Sequence, residues 1–407
     1  PASTYSTYPI TVREVPTASI AGSTTLCQNE APATISFTTV GNIAPYTFYY
    51  SLNGSSAQSI STTTNIATFT VSTETAGQYV YNLLSVSNGY DCSQSQSGQA
   101  RVTVNRLPEA IISENKTVCQ SGNPPVVSMT GSNGAAPYTF LYTLESNGIT
   151  AAPTSALSSG TKASFTHPTN DVGRFIYRIL SVEYTQAGKP CPKAQNDSMV
   201  VVVYPNPTAT LDINEVGVCK DSASPVLSFK AYSDSISSPY TFTFKVNNDN
   251  NASVSTTGNR DTYNYAVKTD KAGTYDYLLQ KVTDKRGCST QPNITETVKV
   301  YENPVANFVA TPVRTTLLEP RIDLVQSSVA AETYEWVFGD GNKSVDVSPE
   351  NHTYKEAGRY DLKLITTTFE GKCKDSMIQE IVVEQPALVY IPNSFTPNAD
   401  GVNDEFK

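Results

Sequence analysis

Apolar and polar residues alternate in short runs along almost the whole chain. Ile35-Ser36-Phe37, Tyr46-Thr47-Phe48, Ala67 to Val71 and Val102-Thr103-Val104 each place every second side chain on one face. That two-residue period belongs to half-buried strands. A longer run from Tyr79 to Val86 follows Gly77, and Asn53-Gly54 has the composition of a tight hairpin turn. No stretch of useful length carries the 3.6-residue period of an amphipathic helix. The chain up to Val104 therefore predicts six or seven strands, enough for a two-sheet sandwich. Its Thr, Ser, Tyr and Val content suits pleated, half-exposed surfaces.

The same pattern then recurs. Pro45-Tyr-Thr-Phe48 returns as Pro137-Tyr-Thr-Phe140 and Pro239-Tyr-Thr-Phe242. Gly77-Gln-Tyr79 returns as Gly173-Arg-Phe175, Gly273-Thr-Tyr275 and Gly358-Arg-Tyr360. Self-similarity at a fixed period means an array of like modules. The Gly-x-Tyr step resembles the tyrosine corner of immunoglobulin-like sandwiches, where a phenol bonds back to the backbone. Boundaries fall at Pro16, Pro108, Pro207, Pro304 and Pro386, each after a β-rich run. Residues 1–15 are expected to be the last strand of a preceding module. Immunoglobulin-like modules are expected over 16–107, 108–206 and 207–303, a fourth module over 304–385, and a separate segment over 386–407. The expected fold class is all-β, with tandem immunoglobulin-like β-sandwich modules in an elongated array. The chain reads as part of a longer protein, so missing targeting signals carry no weight.

Six cysteines fall into pairs: Cys27 with Cys92, Cys119 with Cys191, and Cys219 with Cys288, at separations of 65, 72 and 69 residues. Close Cys-x-x-Cys ligand pairs are missing and there are only two histidines, which argues against zinc. Three disulfides, one within each module, are expected, and they imply an oxidising, extracytoplasmic setting. Each would stabilise its module by about 4 kcal/mol in the chain-entropy model. Cys373, in the fourth module, is expected to be unpaired and buried.

The formal net charge of −9 argues against nucleic acid, which selects basic faces. The longest aliphatic stretch, Met199 to Val203, is far too short to span a bilayer. There is no Gly-x-Ser-x-Gly elbow, no His-Glu-x-x-His and no phosphate loop, so the chain is not expected to be an enzyme. His352 is expected to serve structure and His167 to lie in a loop. Tyr49, Tyr50, Tyr81 and Tyr277 are candidates for a carbohydrate-binding face, although alternation assigns most of them to packing.

The run Tyr334-Glu-Trp-Val-Phe-Gly-Asp-Gly341, then His352-Thr-Tyr354 and Gly358-Arg-Tyr360, resembles the PKD domain pattern over about 80 residues. That family consists of immunoglobulin-like sandwiches of extracellular proteins, used as spacers or binding modules. Read from the residues, Trp336 and Phe338 alternate inward and Asp340-Gly341 supplies a hairpin turn.

After Pro386 the chain reads Ile391-Pro-Asn-Ser-Phe-Thr-Pro-Asn398, then Ala-Asp400-Gly401-Val-Asn403-Asp404. This resembles the start of the gliding-motility-associated C-terminal domain of Bacteroidetes, a type B sorting signal of the type IX secretion system. The resemblance implies that Ile391, Pro392, Asn393, Phe395, Pro397, Asn398, Asp400, Gly401, Asn403 and Asp404 are recognised during sorting. It implies as partners the type IX secretion and outer-membrane attachment proteins, and a place at the cell surface. SprB-like gliding adhesins fit tandem modules of this kind. A surface polysaccharide is a candidate ligand. The alternative is the accessory tail of a secreted polysaccharide-degrading enzyme. Asn398, Asp400, Asn403 and Asp404 also space oxygen ligands around a glycine, as calcium loops do; a tight Asx turn is the plainer reading. No other cofactor is expected. Asp-Ser before a small or aliphatic residue resembles the O-glycosylation site of Bacteroidetes secreted proteins, and marks Ser198, Ser222, Ser235 and Ser376 as candidates.

Overall fold

The alternating runs become strands because every second side chain has a sheet face to bury, and each repeat closes two such faces on one another. This is a computed structural model. It describes residues 7–387 apart from 235, 236 and 248. The chain divides into two units, Pro1–Pro205 and Asn206–Lys407, and each holds two sandwiches.

The first sandwich contains β1 (Thr17–Ala21), β2 (Thr24–Cys27), β3 (Ala33–Val40), β4 (Tyr46–Leu52), β5 (Gln58–Thr62), β6 (Ile66–Val71), β7 (Gly77–Ser87), β8 (Ser93–Ser95) and β9 (Gln99–Asn105). One sheet has the order β1-β3-β6 and the other β2-β9-β7-β4-β5, with β8 added to β7. The opening strand changes sheets at Gly22: β1 runs antiparallel to β3 and β2 parallel to β9. Gly22 has φ +117°, and a Cβ there would lie 2.3 Å from the Thr34 carbonyl oxygen. This strand order with a sheet-switching first strand is immunoglobulin-like. The fold is all-β: the same two-sheet arrangement recurs in the second, third and fourth sandwiches.

The Pro-Tyr-Thr-Phe words open the strand equivalent to β4. Phe48, Phe140 and Phe242 are fully buried in their cores. The Thr between Tyr and Phe faces outward, and Thr47 shares a hydroxyl hydrogen bond with Ser61 at 2.8 Å. The Gly-x-Tyr words form the corners expected of them. Tyr79, Tyr275 and Tyr360 each donate a hydroxyl hydrogen bond at 2.8 Å to the carbonyl four residues back, on Thr75, Lys271 and Glu356. Phe175 has no hydroxyl, and His167 packs against its ring at 4.3 Å instead.

In the fourth sandwich Trp336 is fully buried and donates its indole N–H to the Asp346 carbonyl at 3.1 Å. Asp340 turns the chain, its carboxylate accepting from the Asn342 backbone at 3.0 Å. Tyr354 donates to the Phe338 carbonyl at 2.9 Å and stacks on Tyr360 at 4.3 Å. Trp336 thus anchors the segment at Asp346, and Tyr354 ties Phe338 to Tyr360.

Residues 7–15 differ from expectation. They form no strand and are exposed.

Trp336 is the sole tryptophan of the chain, so its fluorescence reports on the fourth sandwich. Tyr360→Phe removes one corner hydrogen bond and keeps the ring. It is expected to destabilise the urea transition followed by Trp336 by about 1 kcal/mol.

Candidate functional site: disulfide-stapled junctions

The cysteines join different sandwiches. Cys27 is bonded to Cys191 and Cys219 to Cys373, with Cα atoms 5.6 and 5.7 Å apart. Cys119 and Cys288 are disulfide-bonded too, and Cys92 is free. This overturns the intramodule pairs Cys27–Cys92, Cys119–Cys191 and Cys219–Cys288, and it overturns the unpaired Cys373.

The physical reason is strand direction. β2 runs parallel to β9, so Cys27 stops level with Asn105, at the end where β7 begins. Cys92 lies past the other end of β7, beyond the Ser87↔Ser93 pair. At about 3.3 Å per residue, the length of β7 separates them by roughly 30 Å. A disulfide needs Cα atoms within about 7 Å.

At the first junction the chain leaves β9 and enters the second sandwich through residues 105–108. This brings the end of β2 against the hairpin formed by Gly173–Gln186 and Lys189–Ala194. Cys27 and Cys191 are both buried, and Cys27 packs within the core of the second sandwich. Leu107 packs against that core as well. Tyr184 donates to the Arg106 carbonyl at 2.7 Å. Glu30 accepts from the Cys27 backbone N–H at 3.1 Å and pairs with Lys189 at 2.9 Å. The Lys189 ammonium holds the Glu30 carboxyl below its ordinary range, against the opposing effect of burial.

The third and fourth sandwiches repeat the design. Cys219 ends a strand, Gly217–Cys219, that runs parallel to Ile294–Tyr301. Cys373 opens the second arm of the hairpin Gly358–Thr368 and Cys373–Glu384. The hairpin tip carries Phe369, which stacks on Tyr301 at 4.1 Å. A Cβ on Gly217 would sit 2.6 Å from the Phe369 ring, so glycine makes room for it. Thr368 donates to the Glu302 carbonyl at 3.1 Å. The fourth sandwich has Thr316 where Cys27 and Cys219 stand, level with Glu384.

Other candidates fall apart from these junctions. Ser198 opens the strand Ser198–Tyr204, and Ser376 lies within Cys373–Glu384; both are exposed. Ser222 is exposed in a turn and donates to the Cys219 carbonyl at 2.6 Å. Tyr50, Tyr81 and Tyr277 are core residues and Tyr49 is exposed, so these four do not share an exposed face. Among the described residues, no cluster of three or more His, Cys, Asp or Glu could hold a metal. Ser235, the sorting residues and the calcium candidates from Ile391 to Asp404 lie outside the described residues. No helix of the described residues is long and apolar enough to cross a membrane.

Both histidines are structural partners. His352 bonds the Asp340 carboxylate at 2.8 Å and stacks on Phe338 at 3.9 Å. Burial pushes the Asp340 carboxyl up, and the hydrogen bonds from His352 and Asn342 outweigh it, holding the group below its ordinary value. His167 lies in a loop as expected, yet it is only 2% exposed. It occupies the place held by the buried Val71 and Val267 in neighbouring copies. Its Nδ1 is 2.8 Å from the Tyr177 hydroxyl, and its Nε2 is buried with no hydrogen-bond partner. Burial pushes the Tyr177 phenol up to about 12. The sequence signal for this pair was available: a histidine in a column of valines, followed by Phe175 in a column of tyrosines.

Comparison with known proteins gives the following. Residues 301–383 match the PKD domain family. No curated protein matches the chain. A three-immunoglobulin-domain structure of titin is similar at 14% identity and TM-score 0.41, covering 72% of this chain and 100% of its own. Sidekick-1 immunoglobulin domains 1–4 are similar at 12% identity and TM-score 0.31, covering 93% and 98%. Fibronectin(III)-like modules of Clostridium thermocellum CbhA are similar at 12% identity and TM-score 0.22, covering 48% and 95%. The sheet topology makes the chain a series of immunoglobulin-like sandwiches, and the fourth is the one that matches the PKD domain family.

Burial depresses the His167 pKa below 6.5. The unfolded chain then binds the proton more readily than the folded one. Stability is complete above the ordinary histidine value and falls as pH drops below it, by up to about 1.4 kcal/mol per pH unit. His167→Val is expected to remove this acid sensitivity. Hydrogen exchange in the strands Lys162–Thr166 and Gly173–Gln186 measures it: the wild type should lose protection from pH 7 to 5 and the variant should not.

Proposed function

We propose that the chain is a non-catalytic, load-bearing stalk of a large cell-surface adhesin, exported by type IX secretion and acting in gliding and adhesion. The observation that carries the stalk reading is the connectivity of the disulfides. Cys27–Cys191 and Cys219–Cys373 span 164 and 154 residues. Tension entering at Cys27 crosses to Cys191 through sulfur, bypassing nearly everything between. Two covalent bypasses in series suit a protein that is pulled. The disulfides support an extracellular setting, and the PKD match supports a spacer or binding role.

The export reading rests on the residue pattern from Ile391 to Asp404. In it, the apolar Val389, Tyr390, Ile391 and Phe395 add to a partner's sheet edge. Pro392 and Pro397 fix the backbone there. The secretion and attachment proteins are the partners, surface polysaccharide is the candidate ligand, and calcium is a candidate for the turn from Asn398 to Asp404.

Single-molecule pulling through the two ends tests the stalk. The oxidised chain is expected to withhold the lengths behind both disulfides, on the order of 500 Å each at about 3.4 Å per residue. Reductant should release them. Full extension of the oxidised chain would overturn the bypass. Export is tested separately in the full-length protein: Phe395→Ala with Asp400→Ala is expected to abolish labelling of intact cells while the sandwiches stay folded. Normal surface labelling would reduce residues 386–407 to a linker.

A further inference from the structure

We propose that Cys92 is the receiving half of another junction disulfide. Its partner is the cysteine ending the parallel strand of a further sandwich of this type, placed on the N-terminal side. The first observation is what happens to its counterparts. Cys92, Cys191, Cys288 and Cys373 hold the same place, at the arm that follows the long central strand. Cys191 and Cys373 are bonded to the preceding sandwich, and Cys288 is disulfide-bonded. Cys92 alone is free.

The second observation is how the incoming chain already lies. At both stapled junctions, a carbonyl two residues before the boundary proline accepts a hydrogen bond from the downstream hairpin. Arg106 accepts from the Tyr184 hydroxyl at 2.7 Å and Glu302 from Thr368 at 3.1 Å. Glu14, two residues before Pro16, accepts from the Asn88 amide at 3.4 Å in the same way. The residue before it also docks in the same way at one stapled junction and at the first sandwich: Tyr301 stacks on Phe369 of the hairpin tip at 4.1 Å, and the Arg13 guanidinium lies 3.3 Å over the Tyr90 ring. The contacts of a junction are therefore made at the first sandwich too, with one half of its staple supplied.

The register names the other half. Cys27 is level with Asn105, the residue before Arg106, and Cys219 with Tyr301, the residue before Glu302. The missing cysteine belongs level with Arg13, on a strand parallel to the one that residues 10–13 would form. The bond forms by exchange with an oxidised dithiol donor. One thiolate attacks the donor disulfide, and the second displaces the donor from the mixed disulfide. The two cysteines lose two electrons and two protons, and the donor leaves as the reduced dithiol.

The test inserts a copy of residues 16–107, carrying Cys92→Ser, ahead of Pro16 in the whole chain. After oxidative folding and thiol blocking, non-reducing peptide mapping is expected to find Cys92 joined to a Cys27 peptide. Cys92 alkylation should fall at least tenfold against the parent chain. Cys27–Cys191 in the same digest shows that folding and oxidation succeeded. With that bond present, a fully alkylated Cys92 would overturn the proposal. A second arm maps the protein from its native source. Cys92 joined to a cysteine that ends such a strand supports the proposal. Cys92 joined to Cys92 of a second copy, capped by a small thiol, or recovered as free thiol overturns it.

Discussion

The constraint on which the rest depends is the placement of β2 beside β9. Because the two run parallel, the first cysteine of a sandwich is delivered to its downstream end. The hairpin of the next sandwich carries the second cysteine to its upstream end. Neither bond could close inside a sandwich, and both close across a boundary with the hairpin tip seated on the preceding sheet. In the chain-entropy model, a bond spanning 164 residues removes about 5 kcal/mol of freedom from the unfolded chain. That stabilisation is shared by two sandwiches, so their folding is coupled through the junction.

Much of this was legible in the alternation of residues. The strands, the buried Tyr and Phe on either side of an outward Thr in each Pro-Tyr-Thr-Phe word, and the tyrosine corners all follow from local pattern, which is set by near neighbours. The pairing of cysteines was not, because spacing alone does not say at which end of a sandwich a residue emerges. Similar intervals within each copy are as compatible with pairing across copies as within them. One signal pointed the right way. The fourth copy keeps only the late cysteine, Cys373, and a within-copy scheme leaves it without a partner. A scheme shifted by one copy uses it and leaves Cys92 over instead. The residues from Ile391 to Asp404 are read from pattern alone.

The copies also show which parts of the design tolerate change. Where Phe175 replaces a corner tyrosine, His167 fills the space of a valine and bonds the Tyr177 hydroxyl. A polar pair is thereby held in a core at the cost of an unpaired buried nitrogen. In the fourth sandwich the histidine is satisfied on the Asp340 carboxylate. The PKD residues are accounted for by structure: Trp336 bonds the Asp346 carbonyl, and Phe338, His352 and Tyr354 bond or stack on one another beside a hairpin turn.

On the proposed stalk reading, the route of force accounts for where the staples sit. In the second unit, tension follows the strands Thr208–Ile213 and Gly217–Cys219, crosses to Cys373, and leaves along Cys373–Glu384. In the first unit it follows β1 and β2, crosses to Cys191, and leaves along Ser198–Tyr204. Most of that route is strand, already extended near 3.3 Å per residue, so pulling on it has little length to release. The remaining strands, which hold the cores together through sheet hydrogen bonds, lie off the route. Thr316 in place of the cysteine ends the series at the fourth sandwich. Beyond that point load passes through the terminal strand itself, which is paired with Gly358–Thr368 from Cys373 to Val383. Force along that strand shears all of these pairs together rather than peeling them one at a time, so the fourth sandwich resists by strand pairing what the other three resist by sulfur.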